Sequence, residues 1–430
     1  MKLGQIAERL KEKRVRADYE PYFVRIADTI EPRKFRDIRL RMLMDFCKWD
    51  PQVGDISTLA NFPLIISHGE WSCLKTAAEE LARETIELEY RLLDRPDLHR
   101  ELGLPRQLRA LFRNKDIIPT PTACRVMRFD FHPTVDGWRV SEVNSDVPGG
   151  FTEASTFTAL IAEAVDGTTP TGDPQSAYVD RLANVAKDAD DVMVLLAASG
   201  FLEDQQVIAG VAARLRIHGM RTVIGHPKDV EWIEGRAFIH CGSCKAPVAA
   251  IVRFYQGEWL AKLPPGIGWH NLFAGGRTPV ANPGCAVLTE SKRLPLVWDE
   301  LGVACPAWKR FLPMSLDPWS VRWWNNDGWL LKAAFSNTGD AISAPDLFPK
   351  REWRRRCLDV LLHPDDWVAQ KRFAPLAIET CLGPMIPCIG VYTIDGRACG
   401  TYGRLASTPI INYSAIDAAV LLEQDSRSIE

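Results

Sequence analysis

No window of this 430-residue chain approaches the roughly 18 to 20 uninterrupted apolar residues that a membrane-crossing helix needs. The opening stretch, Met1-Lys2-Leu3-Gly4 with Glu8 and Lys11 close behind, also lacks the apolar segment of a secretory leader, so a cytoplasmic protein without a membrane partner is expected. An excess of one charge is missing too: 52 basic residues against 55 acidic ones leave a formal net charge of -3, and no global field gathers nucleic acid. Small molecules become the expected partners. There is no G-x-G-x-x-G fingerprint, no G-x-S-x-G elbow and no H-x-x-x-H pair, which removes the anchors for dinucleotide, serine-hydrolase and zinc-histidine chemistry. Eleven cysteines, an odd number, read as reduced thiols, most of them in the core. The lone pair Cys241-Gly242-Ser243-Cys244, next to His240, has no second pair at zinc spacing and reads as a hairpin turn.

What is present is an ordinary globular composition, 46% apolar and 25% charged, on a chain long enough for two or three packed modules. Residues 1–115 carry helix formers, as in Ser72 to Leu93, where apolar positions recur at three and four. After Pro119 and Pro121 the texture turns to short β-branched and aromatic runs, which sets a boundary near 115 and a second region over 116–430. Val192 to Ala198, Asp204 to Arg216 and Arg221 to Ile224 follow the order strand, helix, strand, predicting a Rossmann-like subdomain over 190–265 with a parallel sheet. Trp329 to Ala333, Trp367 to Phe373 and Ile389 to Ile394 would suit one sheet, and the cluster Trp319, Trp323, Trp324 and Trp329 reads as core filling. The polar tail after Glu423 is expected to fray.

The most informative stretch is Arg128-Phe129-Asp130-Phe131, a turn at Asp136-Gly137, then Arg139-Val140-Ser141-Glu142-Val143-Asn144. Strand alternation puts Arg128 and Asp130 on one face, and Glu142 and Asn144 on one face of the partner strand. Two carboxylates and an amide oxygen supply the hard ligands magnesium prefers, with Arg128 beside them to clamp a phosphoryl group. A solvent-facing hairpin has the same alternation, and spacing alone does not decide between the two.

The spacing Arg128, Asp130, Glu142, Asn144, followed by Asp146 and Glu153-Ala154, resembles the signature of the glutathionylspermidine synthetase family. The likeness runs in order from about Pro121 to Leu421: Ile251 to Tyr255 with Glu258-Trp259, Thr278 to Trp298, Trp329 to Lys332, Val368 to Phe373, Gly390 to Tyr392 with Asp395-Gly396, Gly403-Arg404, and Asn412 to Ser414. It implies an α+β fold class: a circularly permuted ATP-grasp core with a Rossmann-like pre-ATP-grasp subdomain and an N-terminal helical region. It is similar to the synthetase part alone, without the amidase domain. Magnesium would be held by Asp130, Glu142 and Asn144, and ATP by Lys292, Lys332, Ser336, Asn337, Thr338, Gly339 and Gln370. Arg128 and Arg404 would be the catalytic pair.

By itself Lys292 reads as a solvated surface residue, whereas Lys332 interrupts an apolar strand, and Arg404 has the bland alternative of a surface ion pair. The segment Ser336 to Asp340 departs from the family's glycine- and arginine-bearing phosphate loop. The positions after Asn144, where the family contacts glutathione through hydroxyls, are here Val147 to Gly150 and carry none. The resemblance therefore implies an ATP- and magnesium-dependent ligase joining a small carboxylate to an amine, with amino acid, peptide or polyamine substrates, through an acyl phosphate. A nucleotide-binding protein with altered catalysis and a phosphotransferase are the rival readings.

Overall fold

A computed structural model of the protein describes residues 23–50, 52–53, 56–114, 118–185, 192–241, 244–336, 342–412 and 414–424. The architecture is mixed α+β, with several sheets gathered around a long helix, His68–Leu93. Ser67 starts that helix by accepting a hydrogen bond from the Glu70 amide, 3.1 Å away. Its inner stripe of Leu74, Ala78, Leu81, Leu88 and Leu92 is fully buried, so tertiary packing rather than propensity holds it. Glu84 on the same helix accepts from the Ala307 and Trp308 amides at 2.9 and 3.0 Å, fixing the start of the helix Pro306–Phe311.

The strand Val192–Ala197 is buried on both faces and pairs in parallel with Arg221–Gly225 and Cys244–Phe254. Met193, Leu195 and Ala197 point one way, toward Val207, Ile208, Val211 and Leu215 of the helix Leu202–Ile217. Cys241 and Cys244 are backbone register partners in the antiparallel pair that joins this sheet to Arg236–Cys241; the turn residues between them lie outside the described residues.

Trp329–Ala333 and Trp367–Lys371 share one small antiparallel sheet with Ser315–Leu316 and Ile342–Ser343. The third expected member does not join it. Gly383–Ile394 pairs instead with Val126–Thr134 and Arg397–Ala406, because it needs a bare position, Gly390, opposite Asp130. The tryptophans divide: Trp323 is buried and Trp329 half-buried against the helix Lys350–Leu362, while Trp319 and Trp324 are exposed. A fourth sheet ties the two ends of the described chain together, with Leu64–Ile66 running parallel to Val420–Glu423 between Arg25–Ile26 and Thr168–Pro170. No helix among the described residues is long and apolar enough to cross a membrane.

The cysteines correct an expectation. Cys124, Cys285, Cys305 and Cys388 are buried, but Cys73 and Cys381 are exposed and Cys47, Cys357 and Cys399 are half-buried, all as free thiols.

Candidate active site

The acidic hairpin forms from Val126–Thr134 and Gly137–Asn144, with Asp130 opposite Glu142 and Arg128 opposite Asn144. Phe129 and Phe131, on the opposite face, are fully buried, and this anchors the polar face in one orientation. Arg128 grips Asp130 as a fork, Nε to Oδ1 at 2.7 Å and Nη2 to Oδ2 at 3.0 Å, while Asn144 Nδ2 donates to the same Oδ2 at 3.1 Å. The guanidinium also donates to the Gly149 carbonyl at 2.8 Å and lies 5.3 Å from the Tyr402 ring centre. A Cβ at Gly390 would stand 2.7 Å from Arg128 Cδ and 2.9 Å from Asp130 Oδ1, so only glycine fits there.

A β-bulge after Asp130 breaks the register, the device that re-aims side chains beside many active sites. There the Ser141 carbonyl accepts from Lys332 Nζ at 2.9 Å. Lys332 is 2% exposed within its strand, and Lys292, whose side chain is 8% exposed, lies 3.3 Å from Glu142 and donates to the Ser336 carbonyl at 2.6 Å. The solvated-surface reading of Lys292 is thereby overturned, since packing against the hairpin takes it out of water.

Burial pushes the carboxyls of Asp130 and Glu142 up, but Arg128 beside the first and Lys292 and Lys332 beside the second hold both below their ordinary values, so both stay ionised. Burial drives Lys332 the other way, down to about 8, with Glu142 opposing. Two ionised carboxylates and an amide on one face suit magnesium. No group of three His, Cys, Asp or Glu side chains is gathered at metal spacing among the described residues, so the third protein oxygen would come from Asn144.

Gln370 is buried, donates to Ser315 Oγ at 3.1 Å, and leaves its Oε1 without a partner among the described residues. It lines a narrow cleft with Glu142, Lys292 and Trp298. Arg404 forms no ion pair among the described residues, which disfavours the surface-pair reading; it lines a cavity of about 500 Å³ together with Arg128, Asn144 and Ser336. Asn337, Thr338 and Gly339 lie outside the described residues. Arg128, Asp130, Glu142, Asn144, Lys292, Lys332, Ser336, Gln370 and Arg404 are thus brought to one region, either on this cavity, in the adjoining cleft or against the hairpin between them.

The cavity is also lined by residues that sequence reasoning passed over, among them Lys48, Gln256 and Asp417. Tyr402 could have been found from strand alternation, two residues before Arg404 on the same face. For Lys48 and Asp417, which lie at opposite ends of the sequence, no local signal exists. Glu258, noted as part of an aromatic and acidic pair, also lies here, pushed up to about 7 by burial and by the nearby Asp146 carboxylate.

The bulged hairpin thus carries an ionised acidic pair flanked by two buried lysines, beside a polar cavity. The family model for glutathionylspermidine synthase pre-ATP-grasp proteins matches residues 60–419, and the chain belongs to that family. Its fold is similar to that of a glutathione synthetase-like effector from Globodera pallida, with a TM-score of 0.60, 13% identity, and coverage of 91% of this chain and 98% of that one. A looser likeness, with a TM-score of 0.35 and 12% identity over 76% of this chain and 83% of the other, links it to a putative gamma-glutamylcysteine synthetase from Methylobacillus flagellatus. No curated protein matches the sequence.

Proposed function

We propose that this protein is an ATP- and magnesium-dependent carboxylate-amine ligase that forms an amide bond through an acyl phosphate and releases ADP and phosphate. The proposed catalytic core is a circularly permuted ATP-grasp unit over 116–430, with 190–265 as its Rossmann-like subdomain, preceded by the N-terminal helical region 1–115. Permutation follows from order, because Asp130, Glu142 and Asn144 precede Lys292 and Lys332 along the chain, the reverse of common ATP-grasp enzymes.

The observation that carries the proposal is the convergence of Lys292 and Lys332 on the Glu142 side of the hairpin, beside a cavity open to Arg128 and Arg404. Magnesium held by Asp130, Glu142 and Asn144 would neutralise charge on the triphosphate. Lys292 and Lys332 would exchange their carbonyl partners for phosphate oxygens, and Gln370 Oε1 would accept from the base. Arg128 and Arg404, which line the cavity, would stabilise charge on the transferring group. An oxygen of the substrate carboxylate attacks the γ-phosphorus and ADP leaves. The amine nitrogen then attacks the acyl carbon, phosphate leaves with the C–O bonding pair, and Glu258, which lines the cavity, would take the amine's proton.

Nucleotide analysis tests this reading, with a panel of amino acids, short peptides and small carboxylates, each offered with amino acids or polyamines. The expected products are ADP and phosphate in equal amounts, dependent on both substrates. AMP with pyrophosphate would mean attack at the α-phosphate and would contradict it, while ADP formed without an amide product would favour a phosphotransferase.

A further inference from the structure

The cavity lining holds a cation that the proposed chemistry leaves unused. Lys48 is 4% exposed, and its Nζ lies 2.6 Å from Glu153, 3.0 Å from Asp50 and 3.4 Å from Asp417. Three carboxylates share one ammonium. Burial alone would lower its pKa, but these three neighbours outweigh burial and raise it well above the ordinary value, so it stays charged. Among the described residues Glu153 Oε2, Gln256 Oε1 and Glu258 Oε2 accept no hydrogen bond, although all three side chains line the cavity and are more than nine-tenths buried. Buried acceptors without donors call for a ligand that brings N–H groups.

Lys48 belongs to chain that precedes residue 60, where the family match begins. The segment is pinned in place. The Lys48 amide donates to the Met42 carbonyl at 2.9 Å, the Trp49 amide to Gln206 Oε1 at 3.0 Å, and Thr58 Oγ1 to the Asp50 carbonyl at 2.8 Å. Asp417 is fixed from the same side, its amide donating to the Thr58 carbonyl at 2.7 Å while Tyr402 donates to its Oδ1 at 2.5 Å. An ammonium is therefore delivered to the cavity wall by a segment outside the family match.

We propose that Lys48 is a specificity-determining residue: its side chain occupies one cation position of the amine-binding cavity, so the protein takes an amine with one ammonium fewer than the cavity's carboxylates would otherwise hold. This rests on the ligase reading of the same cavity. It differs from a merely structural ion pair in what it does to selectivity, because a structural lysine changes stability and leaves the preference among amines untouched.

The test is calorimetric titration of the parent and Lys48→Met with butylamine and with 1,4-diaminobutane at constant ionic strength. Lys48→Met is expected to shift the ratio of the two Kd values about tenfold toward the diamine, the worth of one charge-assisted hydrogen bond. Excess methylamine, a free ammonium of the size of the lost one, should return the ratio toward the parent's. An unchanged ratio overturns the proposal, including the case in which the variant is less stable but equally selective. Should Lys48→Met fail to fold with three buried carboxylates uncompensated, Lys48→Gln, which keeps an N–H donor and removes only the charge, replaces it with the same expectation. Binding of these probes needs no turnover, so a failure here is distinct from a failure to release ADP.

Discussion

Lys332 is the residue whose chemistry is most exposed to test. Its pKa is lowered from the ordinary 10.5 to about 8 by burial, against the pull of Glu142. A lysine depressed in the folded state costs stability while it is charged, below about pH 8, and that cost is relieved as pH rises from there toward the unfolded value. Phosphate binding runs the other way: the ammonium is present below pH 8 and is lost above it. ATP affinity in the parent should fall above pH 8 by at most about tenfold per pH unit, and Lys332→Arg, which does not titrate there, should flatten the profile. A parent profile that is flat from pH 7 to 9.5 would remove Lys332 from the nucleotide site. Around the hairpin, Asp130→Ala, Glu142→Ala and Asn144→Ala each take away one oxygen. Each should weaken magnesium-dependent binding of a non-hydrolysable ATP analogue by about tenfold or more. Calorimetry that finds all three equal to the parent would move the metal elsewhere.

At the scale of elements, the hairpin was legible because strand alternation places Arg128, Asp130, Glu142 and Asn144 without any tertiary knowledge. The bulge after Asp130 was not, since an extra residue in a ladder leaves no mark on hydrophobic alternation, and with it went the Ser141 carbonyl that Lys332 meets. The sheet membership of Gly383–Ile394 was misread for a related reason: its apolar run suits any buried strand, and only the close approach at Gly390 says which neighbour it has. Gly390→Ala should therefore cost about 1–3 kcal/mol in thermal or denaturant unfolding, as overpacking does. It should also weaken ATP binding, because the methyl strikes the Arg128-Asp130 fork. Destabilisation without any loss of binding would separate the fork from the site. At the start of the long helix, Ser67→Ala should cost about 0.5–2 kcal/mol through the lost cap, with ATP affinity unchanged.

In the whole molecule, the cavity is assembled by chain segments that sequence reading cannot bring together. Lys48 and Asp50 come from near the beginning, Glu153 and Glu258 from the middle, and Asp417 from near the end, joined by the sheet in which Leu64–Ile66 runs beside Val420–Glu423. That is why the clustering of the hairpin with Lys292 and Lys332 could be read from one stretch and two lysines, and the contribution of Lys48 and Asp417 could not. The account stands or falls on the substrate carboxylate attacking the γ-phosphate and keeping its oxygen on phosphorus. The direct measurement uses an active substrate pair with both carboxylate oxygens replaced by oxygen-18 and mass analysis of the phosphate released. One labelled oxygen in each phosphate, with ADP unlabelled, is the predicted result. Phosphate free of the label would show that no acyl phosphate forms and would contradict the proposed chemistry.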